Sequence, residues 1–194
     1  MKEVLNTSNL LIGYKGQALL PEINVSLGEG DIVALAGPNG SGKTTLFKTL
    51  SASLKPVGGQ VSLFGKDLRD YSPTERSSLF SLVLTEKPDD MFLKVFDIVA
   101  AGRYPHLGLL ARLKAEDEQI INDSLETVGI EHLVNRNFVS LSDGEQQKVM
   151  IAKALVQDTP LIFMDEPAAF LDYPSKIELV NIMHKLAREQ NKTI

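Results

Sequence analysis

Asp31-Ile32-Val33-Ala34-Leu35-Ala36 runs directly into Gly37-Pro38-Asn39-Gly40-Ser41-Gly42-Lys43-Thr44. The first six residues form a near-continuous apolar run, the pattern of a strand buried on both faces. The next eight match G-x-x-x-x-G-K-[ST] in full, and helical character follows from Lys43 to Ser53. Glycines allow several backbone N–H groups to converge on one point at a helix N-terminus, which makes a nest for an anion. Lys43 adds a mobile positive charge, and the Thr44 hydroxyl is a hard oxygen suited to Mg²⁺. A plain strand-to-helix turn needs neither lysine nor threonine at those offsets. The expected ligand is a nucleoside triphosphate, with Gly37, Pro38, Asn39, Gly40, Ser41, Gly42, Lys43, Thr44 and Thr45 around its phosphates.

Upstream, Leu10–Tyr14 and Ile23–Leu27 read as short strands, with Gly28-Glu29-Gly30 as a turn. Downstream, Pro56-Val57-Gly58-Gly59 leads into a strand over Gln60–Phe64, and Leu82–Leu84 closes another. From there to Val156 the texture is helix and loop, with Ile121, Leu125 and Val128 on one face at helical spacing. Strand and helix return with Leu161–Met164 and with a stripe of Ile177, Val180, Met183 and Ala187 after Pro174. The expectation is one α/β domain over 1–194, with a nucleotide-binding core at 1–85 and 157–194 and a helical insertion at 86–156.

Two further segments carry chemistry. Leu161-Ile162-Phe163-Met164 ends in Asp165-Glu166. At the C-terminal end of a parallel strand, Asp165 would hold Mg²⁺ and Glu166 would polarise an attacking water; the alternative is a strand ending in solvated acids. Leu141-Ser142-Asp143-Gly144-Glu145 precedes a helical run, Gln146–Val156. Ser142 and Glu145 have capping-box spacing, and a helix start bearing a hydroxyl and a glycine also suits a phosphate.

Taken in order and at these separations, the glycine loop, LSDGE and LIFMDEP resemble the three principal motifs of ABC ATPases. The resemblance extends over essentially the whole chain. It implies a P-loop NTPase core of RecA type, mostly parallel, with an antiparallel β part at the N-terminus and an inserted helical subdomain. It implies ATP and Mg²⁺ as cofactors, Glu166 and Lys43 as catalytic residues, and Thr44 and Asp165 at the metal. LSDGE resembles the signature usually written LSGGQ, which in that family completes the ATP site of a second subunit in a head-to-tail dimer. Tyr14 resembles the aromatic residue that stacks on adenine, with a core tyrosine at a strand end as the alternative. Leu171 and Asp172, after Phe170, resemble the D-loop at the dimer interface. Gly102-Arg103-Tyr104-Pro105-His106 resembles a segment of importers of iron–siderophores, haem and vitamin B12; an ordinary loop is the alternative.

The chain departs from the family pattern in three places. The glutamine usual before the helical insertion is replaced by Thr85-Glu86, and ungapped counting from either side favours Thr85. Asp143 and Glu145 stand where the signature has glycine and glutamine. The extra negative charge is unfavourable beside a γ-phosphate unless it points away or pairs with Lys148. The family's switch histidine follows a further strand, whereas His106, His132 and His184 all lie before that point. The chain is therefore expected to be truncated at its C-terminus, with its core sheet short of a strand and apolar surface left bare.

The bulk composition agrees. Twenty basic against 25 acidic residues give a net charge of −5, which argues against nucleic acid as a partner. No cysteine is present, so disulfides and thiolate chemistry are excluded. No run approaches the roughly 20 apolar residues of a membrane span. The expected setting is the inner face of the cell membrane, with a second ATPase subunit, membrane permease subunits and a periplasmic substrate-binding protein as partners. A soluble, non-transport ABC protein and a nucleotide-binding fragment with little hydrolysis are the alternatives.

Overall fold

A computed structural model describes residues 2–108 and 112–194. Residues 109–111, within the stretch expected to be a helical insertion, and Met1 lie outside the described residues. In chain order the strands and first helix are β1 (Glu3–Leu11), β2 (Gly13–Tyr14), β3 (Gln17–Ala18), β4 (Ser26–Gly28), α1 (Lys43–Leu50), β5 (Gly58–Leu63) and β6 (Lys66–Asp67). Then follow α2 (Pro73–Ser77), β7 (Phe80–Val83), α3 (Val95–Ala101), α4 (Ala115–Thr127), α5 (Asp143–Leu155), β8 (Leu161–Met164) and α6 (Tyr173–Gln190). Short 3₁₀ turns link several of these.

The N-terminal strands make an antiparallel sheet in the order β4-β1-β5-β6. Its inward residues Leu5, Leu10, Val61 and Leu63 close one core with Ile12, Leu27 and Leu46. β7 and β8 pair in parallel, Phe80 with Leu161 through Val83 with Met164. A parallel pair needs a long crossover, and α3, α4 and α5 supply it. Ile121, Leu125 and Val128 are buried in a second core with Val95, Phe138, Ile151 and Ile162. The helical segment thus shares its interior with β7, β8 and α6.

The parallel sheet continues past β8 by two residues. Thr193 N donates to Pro160 O (2.9 Å) and Ile162 N to Thr193 O (2.8 Å), while on the other side Ile194 N donates to Asp31 O and Val33 N to Ile194 O (both 2.9 Å). Asp31–Ala36, expected as a strand buried on both faces, lies outside any named strand. Val33 and Leu35 are 53% and 52% exposed. Beyond Val33 no ladder runs between this segment and β8, and both side chains line a cleft with Leu161, Phe163, Met183 and Ile194. Apolar side chains of this segment are therefore left open beside β8.

A second correction concerns α6. Ile177 and Val180 are 47% and 50% exposed; of the expected stripe Ala187 is buried and Met183 partly so, and the helix otherwise buries Leu179, Ile182 and Leu186. Both sets recur at helical spacing, so periodicity alone could not separate them. His184 is exposed. Among the described residues no helix is long and apolar enough to cross a membrane.

The segment at 102–106 serves packing. A Cβ on Gly102 would lie 2.2 Å from Lys153 O and 2.4 Å from Val156 Cγ2, so only glycine lets α3 meet α5 this closely. Buried Arg103 bonds Asp117 (Nε to Oδ1, 2.9 Å) and Val156 O (2.7 Å). His106 Nε2 lies 2.8 Å from Gln157 O. Gly102→Ala should lower stability by about 1–3 kcal/mol, the usual cost of forced overpacking. Urea unfolding measures it, and an unchanged midpoint would show that α3 and α5 can slide apart at no cost.

Candidate functional site

The loop at 37–44 is held in shape by its glycines. Gly40 and Gly42 have φ of 78° and 90°, a region costly for side-chain-bearing residues. A Cβ on Gly37 would sit 2.8 Å from Ser41 Oγ. Gly42 caps α1 without any side-chain hydrogen bond, and no acidic residue occupies the first turn. The free N–H groups and the positive end of the helix dipole are therefore unopposed. Lys43 Nζ donates to the carbonyls of Gly37 (2.8 Å) and Pro38 (2.9 Å), folding the ammonium over its own loop. Tyr14, half exposed at the end of β2, places its hydroxyl 3.4 Å from Thr45 Oγ1. Its ring therefore stands beside the first turn of α1, and a buried core tyrosine is not what is seen.

β8 delivers the acidic pair. Asp165 N donates to Val83 O (2.9 Å), so the register with β7 is kept to the last residue. Glu166 turns into the left-handed region, with φ 46°, a conformation that stores strain in a residue with a side chain. Burial, then the neighbouring Glu166 carboxylate, pushes the Asp165 carboxyl up from its ordinary value, partly offset by Lys48. Lys43, Thr44, Asp165 and Glu166 line one cleft of about 360 Å³. Residues bearing an ammonium, a hydroxyl and two carboxylates thus border one cleft, the one that Val33 and Leu35 also line. The donors available there to a cation are hard oxygens, which fits Mg²⁺ rather than a softer metal.

Of the two residues considered at the glutamine position, Thr85 reaches inward. Its Oγ1 donates to Asp165 O at 3.0 Å, while Glu86 is exposed. Leu171 is buried, Asp172 caps α6 by accepting from Ser175 N (3.0 Å), and Phe170 between them and the acidic pair is 83% exposed. The Ser175 hydroxyl and N–H hold the Asp172 carboxyl below the usual range.

The signature segment lies outside the cleft. Ser142 caps α5, and its capping box is complete: Ser142 N donates to Glu145 Oε2 (2.8 Å) and Glu145 N to Ser142 Oγ (3.3 Å). The Ser142 hydroxyl also donates to Glu145 Oε2 (2.8 Å). These bonds, the backbone one foremost, hold the Glu145 carboxyl below its ordinary range. A Cβ on Gly144 would lie 2.7 Å from Ser175 Oγ, so the start of α5 sits against the start of α6. Lys148 is not the partner of Asp143. It pairs with Glu178 (2.8 Å), and Asp143 pairs with Lys87 (3.1 Å). Five residues along a helix turn the side chain by about 140°, which puts Lys148 on another face. Lys87 escaped the sequence reading because 56 positions separate it from Asp143; its place one residue beyond Glu86 was the available signal.

A family model described as ABC transporter matches residues 20–169. The chain belongs to the ABC transporter family. An ABC transporter ATP-binding protein of Methanocaldococcus jannaschii, itself uncharacterised, is 42% identical over 98% of this chain and 66% of its own length. The iron(3+)-hydroxamate import ATP-binding protein of Bacillus subtilis is 35% identical over 98% of this chain and 71% of its own. The chain thus spans about two thirds of the length of such relatives. A solved dimeric bacterial ABC transporter cassette superposes with a TM-score of 0.81 at 25% identity, covering 97% of this chain and 84% of that one. The fold is that of a P-loop NTPase with an inserted helical segment, and this ABC transporter family chain is of the ATPase class.

The raised Asp165 carboxyl gives a prediction with a definite sign. A carboxyl that is harder to ionise in the folded chain costs stability as pH rises through its titration range. Asp165→Asn should therefore raise the thermal midpoint of the nucleotide-free chain near neutral pH. That gain should shrink as pH falls into the ordinary carboxylate range. A variant less stable than the parent at neutral pH would contradict it.

Proposed function

We propose that this chain is the ATP-hydrolysing subunit of an ABC importer and that two copies act head to tail. The observation that carries the reading is the division of parts. Lys43, Thr44, Asp165 and Glu166 share one cleft, and the Ser142 helix start lies away from it. A triphosphate in the cleft of one copy can then be closed over by Leu141, Ser142, Asp143, Gly144 and Glu145 of another.

In this reading the α-, β- and γ-phosphates take the N–H groups of the 37–45 loop. Lys43 exchanges its two carbonyl partners for phosphate oxygens, a stronger charge-assisted contact. Tyr14 stacks on adenine. Thr44 and Asp165 hold Mg²⁺, which when bound neutralises phosphate charge. Glu166 orients a water against the γ-phosphorus and accepts its proton as the new P–O bond forms and the bond to the ADP oxygen breaks. A positioned base of this kind is worth about 10²–10⁴ in rate. Leu171 and Asp172 lie at the subunit interface, and Thr85 supports the carbonyl side of Asp165 in place of the usual glutamine.

The cargo we propose is a metal chelate of siderophore, haem or corrinoid type, and the iron(3+)-hydroxamate relative supports the siderophore member of that class. Permease subunits would hold the ATPase at the inner face of the membrane, with a periplasmic binding protein delivering the cargo.

Glu166→Gln should accumulate an ATP-bound dimer, seen by size-exclusion chromatography; ordinary turnover in that variant removes Glu166 from the role of base. Lys43→Ala should weaken ATP binding by at least about 100-fold, the loss of a charge-assisted contact worth roughly 3 kcal/mol. Titration with a fluorescent ATP analogue measures it, and retained affinity would sink the assignment.

A further inference from the structure

The signature of this chain carries an aspartate at the first position of α5, and the fold has placed a cation against it. Lys87 Nζ lies 3.1 Å from Asp143 Oδ1 and 3.2 Å from Gln146 Oε1. Gln146 in turn donates to the carbonyls of Phe138 (3.3 Å) and Leu141 (3.4 Å), the residues leading into Ser142. Lys87 is largely withdrawn from solvent, with 20% of its side chain exposed, while Asp143 is open at 62%. The lysine is thus held, and the carboxylate it meets is the one a ligand at this helix start would face. Lys148 is committed to Glu178, and Arg136, close enough to help hold the Glu145 carboxyl low, donates to Ser140 O and Oγ (both 3.4 Å).

We propose that Lys87 is the positioning residue of the signature, fixing the first turn of α5 and cancelling the charge of Asp143. The proposal rests on the head-to-tail reading above. An uncompensated carboxylate beside the helix N-terminus repels a triphosphate presented by a second copy. Paired with Lys87, Asp143 adds less negative potential to a helix start whose dipole favours an anion. Gln146 gives the lysine a second grip, so that the pair stays in one geometry rather than sampling many. Lys87 touches no reacting atom in this scheme; it acts through Asp143 and Gln146.

The test measures the ATP concentration for half-maximal dimerisation of the Glu166→Gln chain with and without Lys87→Ala. Lys87→Ala should raise it about tenfold and leave ATP affinity of the monomer unaltered. The deficit should shrink in 0.5 M salt, because it comes from unscreened charge. Lys87→Arg should recover most of the loss. In an Asp143→Gly background, Lys87→Ala should cost less than about threefold, a non-additivity that identifies the pair as one unit. An equal loss with and without Asp143, or an unchanged ATP requirement, overturns the proposal while the dimer reading stands. If the Glu166→Gln chain never dimerises with ATP, that reading falls. Lys87 is then judged by hydrogen exchange in the single variant: faster exchange at the amides of residues 144–146 supports its positioning role, and unchanged rates overturn it.

Discussion

The unopposed amides at the start of α1 are the constraint around which the rest is arranged. They stay free because Gly42, with no side chain to cap them, begins the helix. They converge because Gly40 and Gly42 take left-handed backbone angles. An anion is the natural complement of such a site, and Lys43 beside it donates to the loop carbonyls of Gly37 and Pro38. Everything that defines the site is then a matter of what is brought opposite this helix start. The parallel pairing of β7 with β8 brings Asp165 and Glu166, and the crossover between the two strands contains the helix that begins at Ser142.

Charge is distributed with the same economy. Asp165 sits where burial and Glu166 both resist its ionisation, so a bound cation would relieve a cost already present in the fold. Around α5 the opposite holds. Glu145 is hydrogen-bonded by Ser142, and Asp143 pairs with Lys87, so the cation offsets one of the two carboxylate charges at this helix N-terminus. Deeper in the helical segment, the buried Arg103–Asp117 pair and the carbonyl of Val156 tie α4 to the end of α5.

Local chemistry was legible in the sequence wherever one segment determines its own structure. The limits of β8, the capping box at Ser142 and Glu145 and the buried face of Ile121, Leu125 and Val128 all follow from neighbouring residues. What escaped depends on distant partners. Asp31–Ala36 has the composition of a central strand, but its ladder partner, Ile194, lies far along the chain and is not set by its own sequence. The α6 stripe was misplaced because Ile177 and Val180 repeat with the same period as the residues that are buried. The Lys87–Asp143 pair joins two segments that only the tertiary fold brings together, and Lys148 was the nearer cation along the chain but not in space. Fold class and family came from motif order and spacing, which no single element supplies.

The central claim is that a triphosphate is held by the backbone amides that open α1. An ATP and Mg²⁺ titration followed by amide ¹H–¹⁵N chemical shifts tests it most directly. The account predicts saturable shifts that are largest at Gly40 to Thr45, with smaller ones at Asp165 and Glu166. Saturable binding that leaves those amides unmoved, or no binding at all, would contradict it.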